Sequence, residues 1–306
     1  MIENNNPLFC DFDSGMCEIP LVKEDTTVRQ DSLSTKKAVK VIYYTDPICS
    51  SCWGIEAQLR KLKLEYGHVL DFEYRMGGLL PDWSYNSGGI SKPSDVAKHW
   101  DEASAYYDMP IDGDVWLEDP LPSSYPPSIA FKAAQLQDQA KALLFLRELR
   151  EMVFLQKKNI SKWEHIEAAA LRVGLNAEQL KSDYEGQAKD LFSDDLKLGR
   201  ELGVRGFPSL LFTDSTGKKE FVYGSKPYAV YENVLQKLAP AAVKNEYNKS
   251  WEQLFAKYRT LTAREFAELS GTNRSESEQV LDELTAKGKL QKQPGRNGAI
   301  WKRNTQ

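Results

Sequence analysis

A compact β-branched and aromatic run, AVKVIYYT (Ala38 to Thr45), is broken by DPICSSCW and followed by GIEAQLRKLKLEYG. In the latter, Ile55, Leu59, Leu62 and Leu64 recur near helical spacing. Two cysteines two residues apart, Cys49 and Cys52, therefore stand where a strand turns into a helix. At such a helix start one thiol meets the positive end of the helix dipole, which stabilises the thiolate. Cys49 is the expected attacking sulfur, and Cys52, one turn inward, the sulfur that resolves a mixed disulfide. A half zinc site or two core cysteines is the competing reading. A zinc ribbon needs a second ligand pair, and the strand-before, helix-after context favours redox chemistry.

The segments beyond this motif extend the pattern. A second strand fits VLDFEYRM (Val69 to Met76), ended by Gly77 and Gly78, which predicts a β-α-β unit with a parallel strand pair. From Leu79 to Pro127, Pro, Gly, Trp and Tyr are frequent and a helix is expected around Lys92 to Asp108, forming the wall of a groove. Helical periodicity then dominates from Ser128 to Leu202, so a helical insertion over about 80–202 is predicted. The β pattern returns in PSLLFTD (Pro208 to Asp214) and KKEFVYG, a hairpin around Ser215 to Lys218, before a helix from Tyr228 to Leu238. GVRGFP (Gly203 to Pro208) opens that hairpin. A proline there tolerates a cis bond, and the backbone of the preceding Phe207 is left to pair with an extended substrate.

The order strand, CxxC, helix, helical block and GVRGFP resembles the DsbA-like branch of the thioredoxin superfamily over about residues 38–240. The run DPICSSCWGIEAQLRKLKLEYG is most similar to the cytoplasmic FrnE-like proteins and the YjbH (SpxH) adaptors, which deliver a transcription regulator to the ClpXP protease. The resemblance implies a thioredoxin-like α/β fold with a large helical insertion, and active-site roles for Cys49, Cys52, Phe207 and Pro208. Ser50-Ser51 stands where strongly oxidising relatives usually have Pro-His, which implies a less oxidising couple. Both thiols are kept where isomerase relatives often have serine first. Asp46 is a candidate accessory group, to relay a proton to Cys52 or orient Cys49, against the simpler role of capping the Asp-Pro turn. Trp53 is a candidate for lining a peptide groove, with a place as a buried aromatic on the helix an equal alternative. His68, His99 and His165 form no triad or metal spacing and take no role.

Residues 1–36 read as a polar, irregular arm, with Cys10 and Cys17 flanking DFDSGM. These two are expected to close a small disulfide, to partner the CxxC, or, less favoured, to complete a zinc site with Cys49 and Cys52. After Pro240, WEQLFAKYR, TAREFAELSG and ESEQVLDELTAKG predict three short amphipathic helices, and KLQKQPGRNGAIWKRN two short strands, so that residues 248–306 resemble a winged-helix α+β module. The module carries ten basic against seven acidic side chains from Trp251 onward, yet its candidate recognition helix holds Glu276, Glu278, Asp282 and Glu283. Those carboxylates would face phosphates, so protein contact or domain packing is favoured over nucleic acid.

At 306 residues the chain exceeds one ordinary core, in keeping with units at 37–240 and 248–306. A net charge of −4 gives no whole-chain affinity for nucleic acid. Neither a signal-peptide pattern nor a stretch of roughly 20 apolar residues occurs, so the cytoplasm is the expected compartment. Expected, then, is a cytoplasmic thiol-disulfide oxidoreductase without cofactor, acting on a protein or small thiol. The alternative is a binding protein of the YjbH type for regulated proteolysis, whose cysteines sense redox state or bind zinc.

Overall fold

The structure is a computed structural model that describes residues 10–11, 16–18, 37–84 and 90–304. Within the arm expected to be irregular it places two short strands, β1 (Cys10–Asp11) and β2 (Met16–Glu18), paired antiparallel. The side-chain roles expected of Cys10 and Cys17 lie outside the described residues.

The chain then enters β3 (Val39–Thr45), whose Val39, Val41 and Tyr43 are fully buried. These alternate residues share the face turned to the core, whereas Lys40 on the other face is exposed. The helix after the CxxC is divided into α1 (Ser50–Gly54) and α2 (Glu56–Tyr66), with Ile55 at the break. β4 (Leu70–Met76) lies parallel to β3 from Val39↔Leu70 to Thr45↔Met76, as the β-α-β pattern predicts.

The helical block follows as α3 (Pro93–Tyr107), α4 (Val115–Glu118), α5 (Tyr125–Gln137), α6 (Gln139–Gln156), α7 (Trp163–Arg172), α8 (Ala177–Glu185) and α9 (Gln187–Glu201). Asp195 of α9 ties this block to the sheet. Its fully buried carboxylate accepts from Arg75 Nη1 at 2.7 Å, from the Met76 backbone N–H at 2.9 Å and pairs with Lys132 Nζ at 2.9 Å.

After α9 come β5 (Gly206–Phe207), β6 (Ser209–Asp214), β7 (Lys219–Tyr223) and α10 (Tyr228–Leu238). The central sheet runs β4-β3-β6-β7, while β5 leaves it and joins β1 and β2 in the order β1-β2-β5.

The C-terminal module contains α11 (Trp251–Lys257), β8 (Thr260–Thr262), α12 (Ala263–Ser270), α13 (Arg274–Ala286), β9 (Leu290–Gly295) and β10 (Gly298–Arg303). Its sheet has the order β8-β10-β9. β8 was not expected, because three residues are too few to show alternation. Leu261, Leu269, Leu281 and Trp301 form a separate core. Thr262 and Glu265 make a reciprocal capping box at the start of α12.

The module is fastened to the rest by buried charge. Glu265 accepts two bonds from Arg147 of α6, at 2.7 and 3.0 Å, and lies 3.4 Å from Arg60 of α2.

Candidate dithiol site and its flanking edge

The turn that carries the cysteines is fixed by Asp46. Its Oδ1 accepts from the Ile48 N–H at 3.0 Å, which is the turn-capping role. Its Oδ2 accepts from the Leu79 N–H at 2.8 Å and from Ser124 Oγ at 2.9 Å, tying the turn to the segment after β4 and to the start of α5. The side chain is fully buried, and burial outweighs these bonds to push its pKa up from 3.8 to about 6.

A carboxyl raised by folding contributes stability that is complete below pH 3.8 and is lost as pH rises through about 6. Unfolding free energy should therefore fall by about 3 kcal/mol over that window from this group alone. Asp46→Asn should flatten the slope in urea titrations between pH 4 and pH 7, and an unchanged slope would show that Asp46 is not the titrating group.

Cys49 is the N-cap of α1, and its sulfur accepts from the Cys52 N–H at 3.1 Å. The two cysteines form a disulfide with Cα atoms 5.2 Å apart. Both are fully buried, whereas a reactive cysteine ordinarily sits partly exposed. The cover comes from neighbours on several elements. Tyr107 OH of α3 lies 2.7 Å from Ser51 Oγ, and the Tyr107 ring packs so closely on α1 that a Cβ on Gly54 would overlap it. β2 lies against α1 from another side.

Trp53 does not line a groove. It is fully buried, its Nε1 donates to the Pro110 carbonyl at 3.1 Å, its ring stacks on Phe154 at 5.5 Å, and Arg147 lies over it at 4.2 Å. An indole with its N–H satisfied inside the protein is core, because exposing it would forfeit both the packing and the bond.

The Phe207–Pro208 peptide bond is cis. The Phe207 ring is also buried, against Gly77, where a Cβ would overlap it. Any contact of Phe207 with a partner strand is therefore made through its backbone, and the structure shows such a contact: Phe207 is in register with Cys17, and Gly206 with Glu18.

The site draws in residues that the motif did not indicate. Arg150 of α6 is buried beneath the turn, donating to Glu56 Oε1 and Thr45 Oγ1, each at 2.5 Å, and to the Asp46 carbonyl at 3.3 Å. Arg150 and Tyr107 are distant in sequence from the groups they contact there, so no local signal could have found them.

Among the described residues no group of three or more His, Cys, Asp or Glu side chains is placed to hold a metal ion. No helix among them is long and apolar enough to cross a membrane. A cleft of about 970 Å³ opens between α2, α6 and the C-terminal module. Eight lysine and arginine side chains line it, Arg60, Arg147 and Lys302 among them, together with Glu56, Glu148 and Glu151, beside the exposed Leu143 and Leu144.

Comparison with known proteins places this architecture. The family model described as Thioredoxin matches residues 43–233. A protein of Halalkalibacterium halodurans named ClpXP adapter protein SpxH is 32% identical over 99% of both chains. The chain belongs to the SpxH family of thioredoxin-like proteins. The Bacillus subtilis protein of the same name is 29% identical, covering 87% of this chain and 90% of its own.

Among solved structures, a putative protein disulfide isomerase from Nitrosomonas europaea superposes with a TM-score of 0.56 at 17% identity, over 67% of this chain and 97% of its own. The cytosolic disulfide reductase DsbM from Pseudomonas aeruginosa gives 0.53 at 21%, over 65% and 99%. Both show the shared thioredoxin-like fold.

Proposed function

We propose that this SpxH-family chain is a cytoplasmic ClpXP adapter, which binds a client protein and brings it to the protease. The observation that carries this reading is the extent of the similarity. The Thioredoxin match ends at residue 233, before the C-terminal module, whereas the SpxH relative is matched over 99% of both chains. The burial of Cys49 and Cys52 supports binding over turnover, because a thiol sealed from solvent is slow to meet a substrate. The cleft, lined partly by the module and with more cations than carboxylates, offers a surface to an acidic segment of a client. Exposed Glu276, Asp282 and Glu283 on α13 favour protein over nucleic acid as the module's partner.

In this reading the chain divides into an arm at 1–36, a thioredoxin-like unit at 37–240 and a winged-helix-like module at 248–306. A second reading, thiol-disulfide oxidoreductase, is supported by the fold and by the Cys49–Cys52 disulfide, with Pro208 and the Phe207 backbone docking substrate.

Capture on proteolytically inactive ClpP in cells separates the two. Loss of this protein should remove specific clients from the trap, and the Cys49→Ser, Cys52→Ser double variant should restore them. Restoration by the wild type alone would favour the oxidoreductase, and unchanged trap contents would overturn the adapter reading.

A further inference from the structure

A strand at the end of a sheet presents a row of unpaired backbone donors and acceptors. β4 is such a strand: the central sheet ends on it, and among the described residues no strand pairs with its outer edge. Its residues from Asp71 to Arg75 form one wall of a groove of about 640 Å³. Leu136 of α5, Gln139 and Leu143 of α6, and Leu191 of α9 stand on the other side. A channel with an open strand along its length has the form that an extended peptide fills by adding to a sheet.

The groove runs into the cleft beside the C-terminal module, since Tyr74 and Leu143 line both. Charge is uneven along this path. Deep in the cleft, Arg60, Arg147 and Arg150 are answered by Glu56, Glu151 and Glu265. Lys257 and Lys302 are exposed at its rim, and among the described residues neither meets a carboxylate. Arg259, also exposed, donates to the Arg172 carbonyl at 3.2 Å and keeps its charge uncompensated. The surplus positive charge thus faces solvent, where it steers anionic groups inward. Leu136, Leu143 and Leu144 are exposed along the same path, and covering them would remove apolar surface from water.

We infer that the β4 groove and the cleft form one continuous docking surface for an extended client segment, acidic at one end and apolar at the other. The acidic end lies by Lys257, Arg259 and Lys302, apolar side chains cover Leu143 and Leu136, and the backbone adds a strand to β4. A basic segment would be repelled at the rim, and a nucleic acid has no peptide backbone with which to extend a sheet. The inference rests on the adapter reading for the existence of a client and goes beyond it in naming the surface and the segment's chemistry.

The test titrates the full chain with a fluorescein-labelled probe peptide made of an aspartate block, a leucine pair and a valine–threonine alternation, and with the same peptide in reverse order. At least one order should bind, more weakly as salt rises. Binding by neither would overturn the inference. The Lys257→Glu, Lys302→Glu variant alters two exposed side chains without ion pairs, so the fold should stand, and binding should weaken at least about tenfold. N-methylation throughout the valine–threonine run removes its backbone donors, keeps its charge, and should weaken binding at least about tenfold as well. Hydrogen exchange in β4 should slow when the unmethylated peptide binds.

Unchanged affinity for the variant or the methylated peptide, or unchanged exchange in β4, would overturn the inference. Displacement of the peptide by an RNA of equal charge at lower concentration would assign the surface to nucleic acid, and concentration-dependent protection of β4 without peptide would assign it to a second copy. Either result overturns it. These readouts contain no protease: clients trapped on ClpP without peptide binding would refute the surface alone, and peptide binding without trapped clients would refute the adapter reading alone.

Discussion

Replacing Glu265 by alanine is expected to destabilise the protein by about 3–5 kcal/mol, the cost of breaking a buried ion pair from one side. Glu265 is fully buried and receives both Nη groups of Arg147, with Arg60 at 3.4 Å. Without it, two guanidinium groups between α2, α6 and α12 lose their shared counter-charge, and the Thr262 N–H loses its capping partner at 2.8 Å.

Burial alone would raise the Glu265 pKa, but Arg147 and Arg60 outweigh it and hold the carboxyl below 4.5. A lowered carboxyl contributes stability that is complete above pH 4.5 and is lost as pH falls through its folded value. The variant's deficit should accordingly shrink on acidification. Urea unfolding at pH 7, with hydrogen exchange localised to the C-terminal module, measures the effect. A loss under about 1 kcal/mol would show that the ion pair does not hold the module in place.

Asp195→Ala should cost a similar amount, about 3–5 kcal/mol, at the other end of the molecule. Its carboxylate serves Arg75, Lys132 and the Met76 N–H, which belong to β4 and α5. Burial already pulls the Lys132 ammonium below its ordinary value, and Asp195 is the neighbour that opposes this. Removing the anion strands both the ammonium and a backbone donor in the interior.

Asp195→Asn keeps an acceptor for one donor and should lose less than alanine. Exchange should rise first in α9 and β4, where the insertion meets the sheet. If alanine and asparagine are equally mild, the contact is peripheral and the helical block is held by apolar packing alone.

Sequence alone determined the local devices. Compact β-branched and aromatic runs bounded by turn residues placed β3, β4, β6 and β7, and helical periodicity placed the helical block, because these patterns record which segments meet the core. The spacing of Cys49 and Cys52 at a strand-to-helix turn gave the disulfide its partners, since three residues at a helix start bring two sulfurs together without help from the rest of the chain.

Tertiary structure decided what surrounds that pair. Trp53 became core because Pro110 and Phe154, more than 50 residues away, satisfy its N–H and cover its ring. Arg150, Tyr107 and the Arg147–Glu265 pair meet their partners only when the elements pack, so no window of sequence contains both halves. β2 shows the same limit. Three residues carry too little periodicity to announce a strand, and it exists as one because β5 offers it a ladder. The cysteine pair is thus written in the local sequence, and its burial follows from the fold.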